Sequence, residues 1–133
     1  MKNLFILSLL ALSLSPSNVY AAEEPRVYGL HLFFSEQDNV DVLTINTDAN
    51  GKLIGDMHVP NDFDARVLNL EEKDGALSFD LPVPKNSGRP VDLIFHYEGR
   101  YFSSAKEQLT GFVTLKGEMG FVASFVAFLR KMN

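Results

Sequence analysis

The chain has 133 residues, 46% of them apolar, no cysteine and a formal charge of −5 at neutral pH. An acidic chain without a Lys/Arg cluster excludes the electrostatic footprint of a nucleic-acid binder and disfavours an anionic membrane surface. With no cysteine there is no disulfide framework and no thiol nucleophile, so a hydrophobic core has to hold the fold.

Lys2, an apolar run over 4–14, the breaker Ser15-Pro16-Ser17 and the small-residue site Val19-Tyr20-Ala21 have the layout of a secretory signal peptide cleaved after Ala21. Spanning a bilayer takes roughly 20 apolar residues, and this run is shorter. The expectation is a leader over 1–21 and a single domain over 22–133, periplasmic or secreted, with no membrane span after processing.

Eight short β segments follow in order. The first covers 27–34 and ends in a polar turn over 35–39; the second covers 40–47 and the third 52–59. Asn50-Gly51 between them suits a tight reversal, since both residue types tolerate positive φ. Pro60-Asn61-Asp62 breaks the third segment, and a fourth runs over 65–72. Lys73-Asp74-Gly75 turns the chain into a fifth over 76–83, and a loop with Pro84, Gly88 and Pro90 leads to a sixth over 91–97. The seventh covers 108–116. Gly117 to Gly120 reverses the chain into the eighth, 121–129, which favours a strand although the apolar run to Met132 also fits a helix through Phe121, Phe125 and Phe128. Turn signals at this spacing point to a sandwich or barrel.

Alternation assigns faces. Leu77, Phe79, Leu81 and Val83 point one way in the fifth segment; Leu68 and Leu70 form the apolar set of the fourth, and Val91, Leu93, Phe95 and Tyr97 that of the sixth. Phe33, Ile54, Ile94, Phe112, Val122, Val126 and Phe128 fall on outward faces. A cluster of aromatics there would make a partner surface. Leu53-x-Gly55 recurs as Leu109-x-Gly111, and the two four-strand halves align in order. Each half has one apolar face it cannot bury alone. Mutual closure into an all-β, eight-stranded antiparallel closed or nearly closed barrel removes the exposed edges. Mid-strand, Gly55 and Gly111 mark bends or close backbone approaches.

An Asn-Gly-type turn followed by Leu-x-Gly and an apolar strand, twice in about a hundred residues, resembles the small lipocalin-like β-barrel domains of exported bacterial proteins. Gly51, Leu53, Gly55, Leu109 and Gly111 carry the resemblance, which spans 27–130. It implies a barrel, and eight strands leave an interior either filled by side chains or able to hold one small ligand. Tyr28-Gly29 lacks the Gly-x-Trp signature of true lipocalins.

Chemistry is sparse. There is no Gly-x-Ser-x-Gly elbow, and His31, His58 and His96 have no metal-ligand spacing among themselves. Asp56 and His58 share a face, and cross-strand pairing could set His58 or His96 beside an acid. Asn46-x-Asp48-x-Asn50-Gly51 mimics the start of a calcium loop, but Met57 stands where the bidentate Glu belongs, so a hairpin turn is the better reading. No enzyme, cofactor or metal is expected. The expected function is a non-catalytic binding module for a small apolar ligand, lined by Leu77, Phe79, Leu93, Phe95, Leu109 and Val113. The alternative is a protein-interaction domain, such as an inhibitor or accessory subunit of an exported enzyme.

Overall fold

Nine antiparallel strands form one nearly closed barrel. The structure, a computed structural model, describes residues 24–33, 39–117 and 120–130. The strands are β1 Arg26–Leu32, β2 Asp41–Thr47, β3 Leu53–Val59, β4 Phe63–Arg66, β5 Leu68–Lys73, β6 Ala76–Val83, β7 Leu93–Tyr101, β8 Gln108–Leu115 and β9 Gly120–Leu129. The leader expected over 1–21 lies outside the described residues, as do Phe34, most of the 35–39 turn, Glu118-Met119 and the chain beyond Arg130.

The sheet order is β4-β3-β2-β1-β9-β8-β7-β6-β5. Chain neighbours therefore pair throughout, except that β4 and β5 do not pair with each other and β1 also pairs with β9. The fourth expected segment is the element that joins the two ends of this order. It kinks at Val67, so that β4 pairs with β3 and β5 with β6. The Val67 amide still donates to the Gly55 carbonyl at 2.9 Å, tying the kink to β3. Counted as one kinked strand, β4 and β5 make the barrel the eight-stranded object that the sequence pattern implies. The segment over 121–129 is a strand, β9.

Local chemistry sets the turns. At the β2–β3 hairpin the Asp48 carboxylate accepts from the Asn50 and Lys52 amides at 2.8 and 2.9 Å, so this oxygen is occupied by the turn itself. Asp74 and Gly75 both take positive φ, which matches the twist of the β5–β6 hairpin.

Inside, Tyr28, Leu30, Leu43, Ile45, Met57, Leu77, Phe79, Leu81, Leu109 and Val113 are almost wholly buried. Each such side chain contributes about 1.5–3 kcal/mol relative to exposure. Phe79 stacks on Tyr97 with ring centroids 4.6 Å apart, and Phe125 tilts against Tyr97 at 5.5 Å. The mid-barrel is filled.

Gly55 and Gly111 are places of close approach. A Cβ on Gly55 would lie 2.6 Å from Val67 Cγ2, and one on Gly111 only 1.9 Å from the Glu98 carbonyl oxygen.

Three expected faces are corrected. Leu68 is exposed, not inward, because the β5–β6 register shifts between Leu68 and Glu71, with Asn69 at φ 54°. One extra residue there reverses the alternation. Val91 precedes β7 and is exposed. Val122 packs against the core, because a register shift at Val113/Thr114 against β9 places Phe121 outward instead.

Candidate functional site

The two mouths of the barrel differ. At the mouth where β1 begins and β9 ends, inward parity brings Arg26 and Tyr28 from β1 towards Glu72 of β5 and Tyr101 of β7. Arg26 Nη1 donates to Glu72 Oε2 at 3.0 Å, and the Tyr101 hydroxyl donates to the same oxygen at 2.7 Å. Lys106 also donates to Glu72, and the Tyr28 hydroxyl donates to the Lys106 carbonyl at 2.8 Å. Burial would raise the Glu72 pKa, but hydrogen bonds from Lys106, Tyr101 and Arg26 outweigh it and hold it below the ordinary value. Burial and the bond to Glu72 push the Tyr101 phenol far up, so it stays a donor. This mouth is plugged by a satisfied polar cluster.

At the opposite mouth lies a cavity of about 460 Å³. Its apolar floor and wall are Leu32, Val59, Leu81, Val83, Phe95 and Tyr97. Asn39, Asp41, Asn61, Asp62, Asn86 and Arg89 form the polar rim. The rim is pre-organised by the β3–β4 turn and the 84–92 loop. Asn61 takes φ 61°, and the Asp62 amide donates to the Val59 carbonyl at 3.1 Å. Arg89 then clasps Asp62 with both terminal nitrogens, at 3.0 and 3.1 Å, and also donates to the Pro84 carbonyl. Asn86 Nδ2 adds a bond to Asp62 at 3.0 Å, and its Oδ1 accepts from the Gly88 and Arg89 amides. These bonds, Arg89 first, hold the Asp62 pKa down.

Asp41 is different. It opens β2 on the same face as Leu43 and Ile45, and it is only 6% exposed. Burial pushes its carboxyl up to about 6, with the nearby charge of Asp62 adding to the rise and His58 opposing it. Tyr97, the floor residue, is also pushed up by burial, and further by the charge of Asp41.

Comparison with known proteins finds no matching family model, curated protein or solved structure.

Of the six lining residues expected from the sequence, Phe95 borders this cavity. Phe79 and Val113 lie in the filled mid-barrel, Leu77 and Leu109 are buried at the plugged end opposite Glu72 and Tyr101, and Leu93 packs half-buried against the core. All six are on the inner side of the sheet, but they do not form one surface. Sequence reasoning missed Asp41, Asp62 and Arg89. Asp41 had a legible signal, a carboxylate at the apolar parity of an alternating strand. The Asp62–Arg89 clasp joins two loops 27 residues apart and had none.

Two of the three histidines, His58 and His96, find acids across strands. His58 pairs with Asp64 on the neighbouring strand. His96 sets Nδ1 2.7 Å from Asp80 and Nε2 3.0 Å from Glu98. Asp80 points away from the core yet is 3% exposed, because Asn69, His96 and Lys116 close over it, with Asn69 at 2.8 Å and Lys116 at 2.6 Å. Those bonds overcome the cost of burial and lower the Asp80 pKa to about 2. Burial opposes the His96 charge, but the two carboxylates raise its pKa on balance. Both imidazole nitrogens face carboxylates, so neither is free to take a proton from a substrate. The arrangement clasps β5, β6 and β7 together.

On the outside of the barrel, Phe33, Phe112, Phe121 and Phe128 are exposed, with Phe112 and Phe121 in edge contact at 6.1 Å.

Proposed function

We propose that the protein is a non-catalytic, exported binding module that takes a small, largely apolar molecule into the open mouth of its barrel. The observation that carries this reading is the cavity of about 460 Å³ over an apolar floor, at the mouth opposite the Glu72 cluster. Small-ligand sites typically occupy 300–1,000 Å³ and combine apolar walls with a few placed polar groups. The pre-organised rim also supports the reading, since a fixed mouth loses little freedom on binding. The lipocalin-like resemblance fits the same use of a barrel interior.

Native mass spectrometry of protein purified from its own host tests this, followed by NMR titration with octanol. Shifts concentrated at Leu81, Phe95 and Tyr97 are the expected outcome. An adduct-free spectrum together with no octanol-induced shift at these residues would remove the reading. The second reading, a protein-interaction domain, is favoured by the exposed pair Phe112 and Phe121 on β8 and β9. It leads if the cavity stays empty and Phe112→Ser changes binding to an exported partner.

A further inference from the structure

The charge balance inside the mouth selects among small apolar molecules. Among the described residues lining the cavity, Asp41, Asp62 and Arg89 carry charge. Arg89 is committed: its Nη1 and Nη2 bind Asp62 while its Nε and Nη2 bind the Pro84 carbonyl. A guanidinium has five N–H donors in a fixed fork, and this one has four in use. An anionic ligand would have to break that clasp. Asp62 and Arg89 cancel, which leaves Asp41 as the charge the cavity does not balance.

Asp41 sits at the junction of rim and floor, 6% exposed, with Leu81, Phe95 and Tyr97 among the residues sharing its cavity. The imidazole that influences it, His58, is already engaged by Asp64. A wholly apolar occupant would expel the water that still reaches Asp41 and offer nothing in return, and burying an unpaired carboxylate is costly. A ligand bearing a cationic donor removes that penalty.

We propose that the cavity takes an organic amine, with its ammonium group paired to Asp41 and its apolar body lying on Leu81, Phe95 and Tyr97. This rests on the reading of the cavity as a ligand site. The ammonium brings three donors, enough for the Asp41 carboxylate and for an acceptor such as the Tyr97 hydroxyl oxygen. The upward shift of the Asp41 carboxyl through burial is the expected mark of a carboxylate short of cationic partners. At neutral pH it is still ionised, and an alkylamine is protonated. The acidic balance of the whole chain, −5, also favours the approach of a cation.

The test compares octylamine, octanol and octanoate, which share one alkyl chain and differ in head charge, by calorimetric titration of the intact protein near neutral pH. Octylamine is expected to bind at least about tenfold tighter than octanol, and octanoate more weakly than octanol, as close buried charge pairs and like-charge contacts require. Asp41→Asn keeps the side-chain shape and is expected to abolish the preference for octylamine over octanol. If octanol binds but octylamine is no tighter, or if Asp41→Asn retains the amine preference, the amine assignment is overturned and the ligand-site reading stands. If none of the three binds, both fall.

Discussion

Replacing Gly111 with alanine tests the barrel geometry most directly. The new Cβ would lie 1.9 Å from the Glu98 carbonyl oxygen and 2.6 Å from the Gly99 Cα. Carbon and oxygen rest at about 3.3 Å even in a favourable C–H···O contact, so β7 and β8 must part by more than about 1 Å. N–H···O bonds extend to only about 3.2 Å, so the rungs beside the Gly99↔Gly111 pair would break. Two lost bonds at about 1 kcal/mol each and about 1–3 kcal/mol of overpacking strain give roughly 3–5 kcal/mol. The entropy that alanine removes from the unfolded chain returns only about 0.4–1 kcal/mol. The expected net loss is about 2–4.6 kcal/mol, a large part of the 5–15 kcal/mol typical of a domain. Urea unfolding followed by far-UV circular dichroism measures it. Gly55→Ala provides the internal contrast, because its obstacle is the Val67 Cγ2 methyl rather than backbone. Val67→Ala should therefore recover part of the Gly55→Ala loss, whereas no side-chain truncation should rescue Gly111→Ala. A Gly111→Ala protein within about 1 kcal/mol of the parent would mean that β7 and β8 have room for a methyl group at this rung.

Phe79→Ala should cost about 3–5 kcal/mol, since the ring is buried and stacked, and Phe95→Ala distinctly less, since Phe95 borders a cavity that already lacks partners; equal thermal shifts would contradict the placement of the cavity. Glu72→Gln leaves the half-buried Arg26 without its carboxylate and should cost about 1.5–3 kcal/mol. The Glu72 pKa is depressed, so its stabilisation is present above the ordinary carboxylate range and lost as pH falls below it; the Glu72→Gln deficit should shrink in acid, and a pH-independent deficit would count against the plug. Asp41 has the opposite sign: its raised pKa, about 6, gives stability that is complete below about pH 4 and lost as pH rises through 6. Asp41→Asn should therefore be the more stable protein at neutral pH, by on the order of 3 kcal/mol, with the gap closing near pH 4; urea midpoints at the two pH values decide it.

The architecture was legible because its causes are local and periodic. Asn50-Gly51 and Asp74-Gly75 fix hairpins through residues that tolerate positive φ, and two sets of strands with one apolar face each have few ways to hide their edges. The faces of single strands were less legible. A bulge adds one residue and reverses every side chain beyond it, so Leu68 emerged on the outside and Phe121 exchanged places with Val122. Neither bulge is announced by a glycine at that position. For the cavity, alternation identifies the inner row but says nothing about height along the barrel axis. Leu77 and Phe95 are alike in sequence terms, yet one is buried beside Glu72 at the plugged end and the other borders the cavity at the opposite mouth. Height is set by strand stagger, which arises only when the sheet closes. Asp41 was within reach of sequence, as a charge in an apolar row; the Arg89 clasp was not.

The pairing of β1 with β9 bears on how the barrel forms as well as on what it encloses. All other pairings join strands that follow each other along the chain, so each can form as a short hairpin or corner. This one must bring Tyr28 to Leu129 across about a hundred residues. Loop closure grows as about (3/2)RT ln n, so the seam costs roughly 3 kcal/mol more chain entropy than a four-residue hairpin loop. The seam should therefore be among the last contacts made and the first released, with β1 peeling from β9 before the hairpins melt. The topology is in effect a ring of hairpins with one cut. A circular permutant that links Arg130 to Glu24 and opens at Asn50-Gly51 would turn the slow seam into a local hairpin and move the long-range step to β2 and β3. Its folding rate would report which of the two closures limits the barrel.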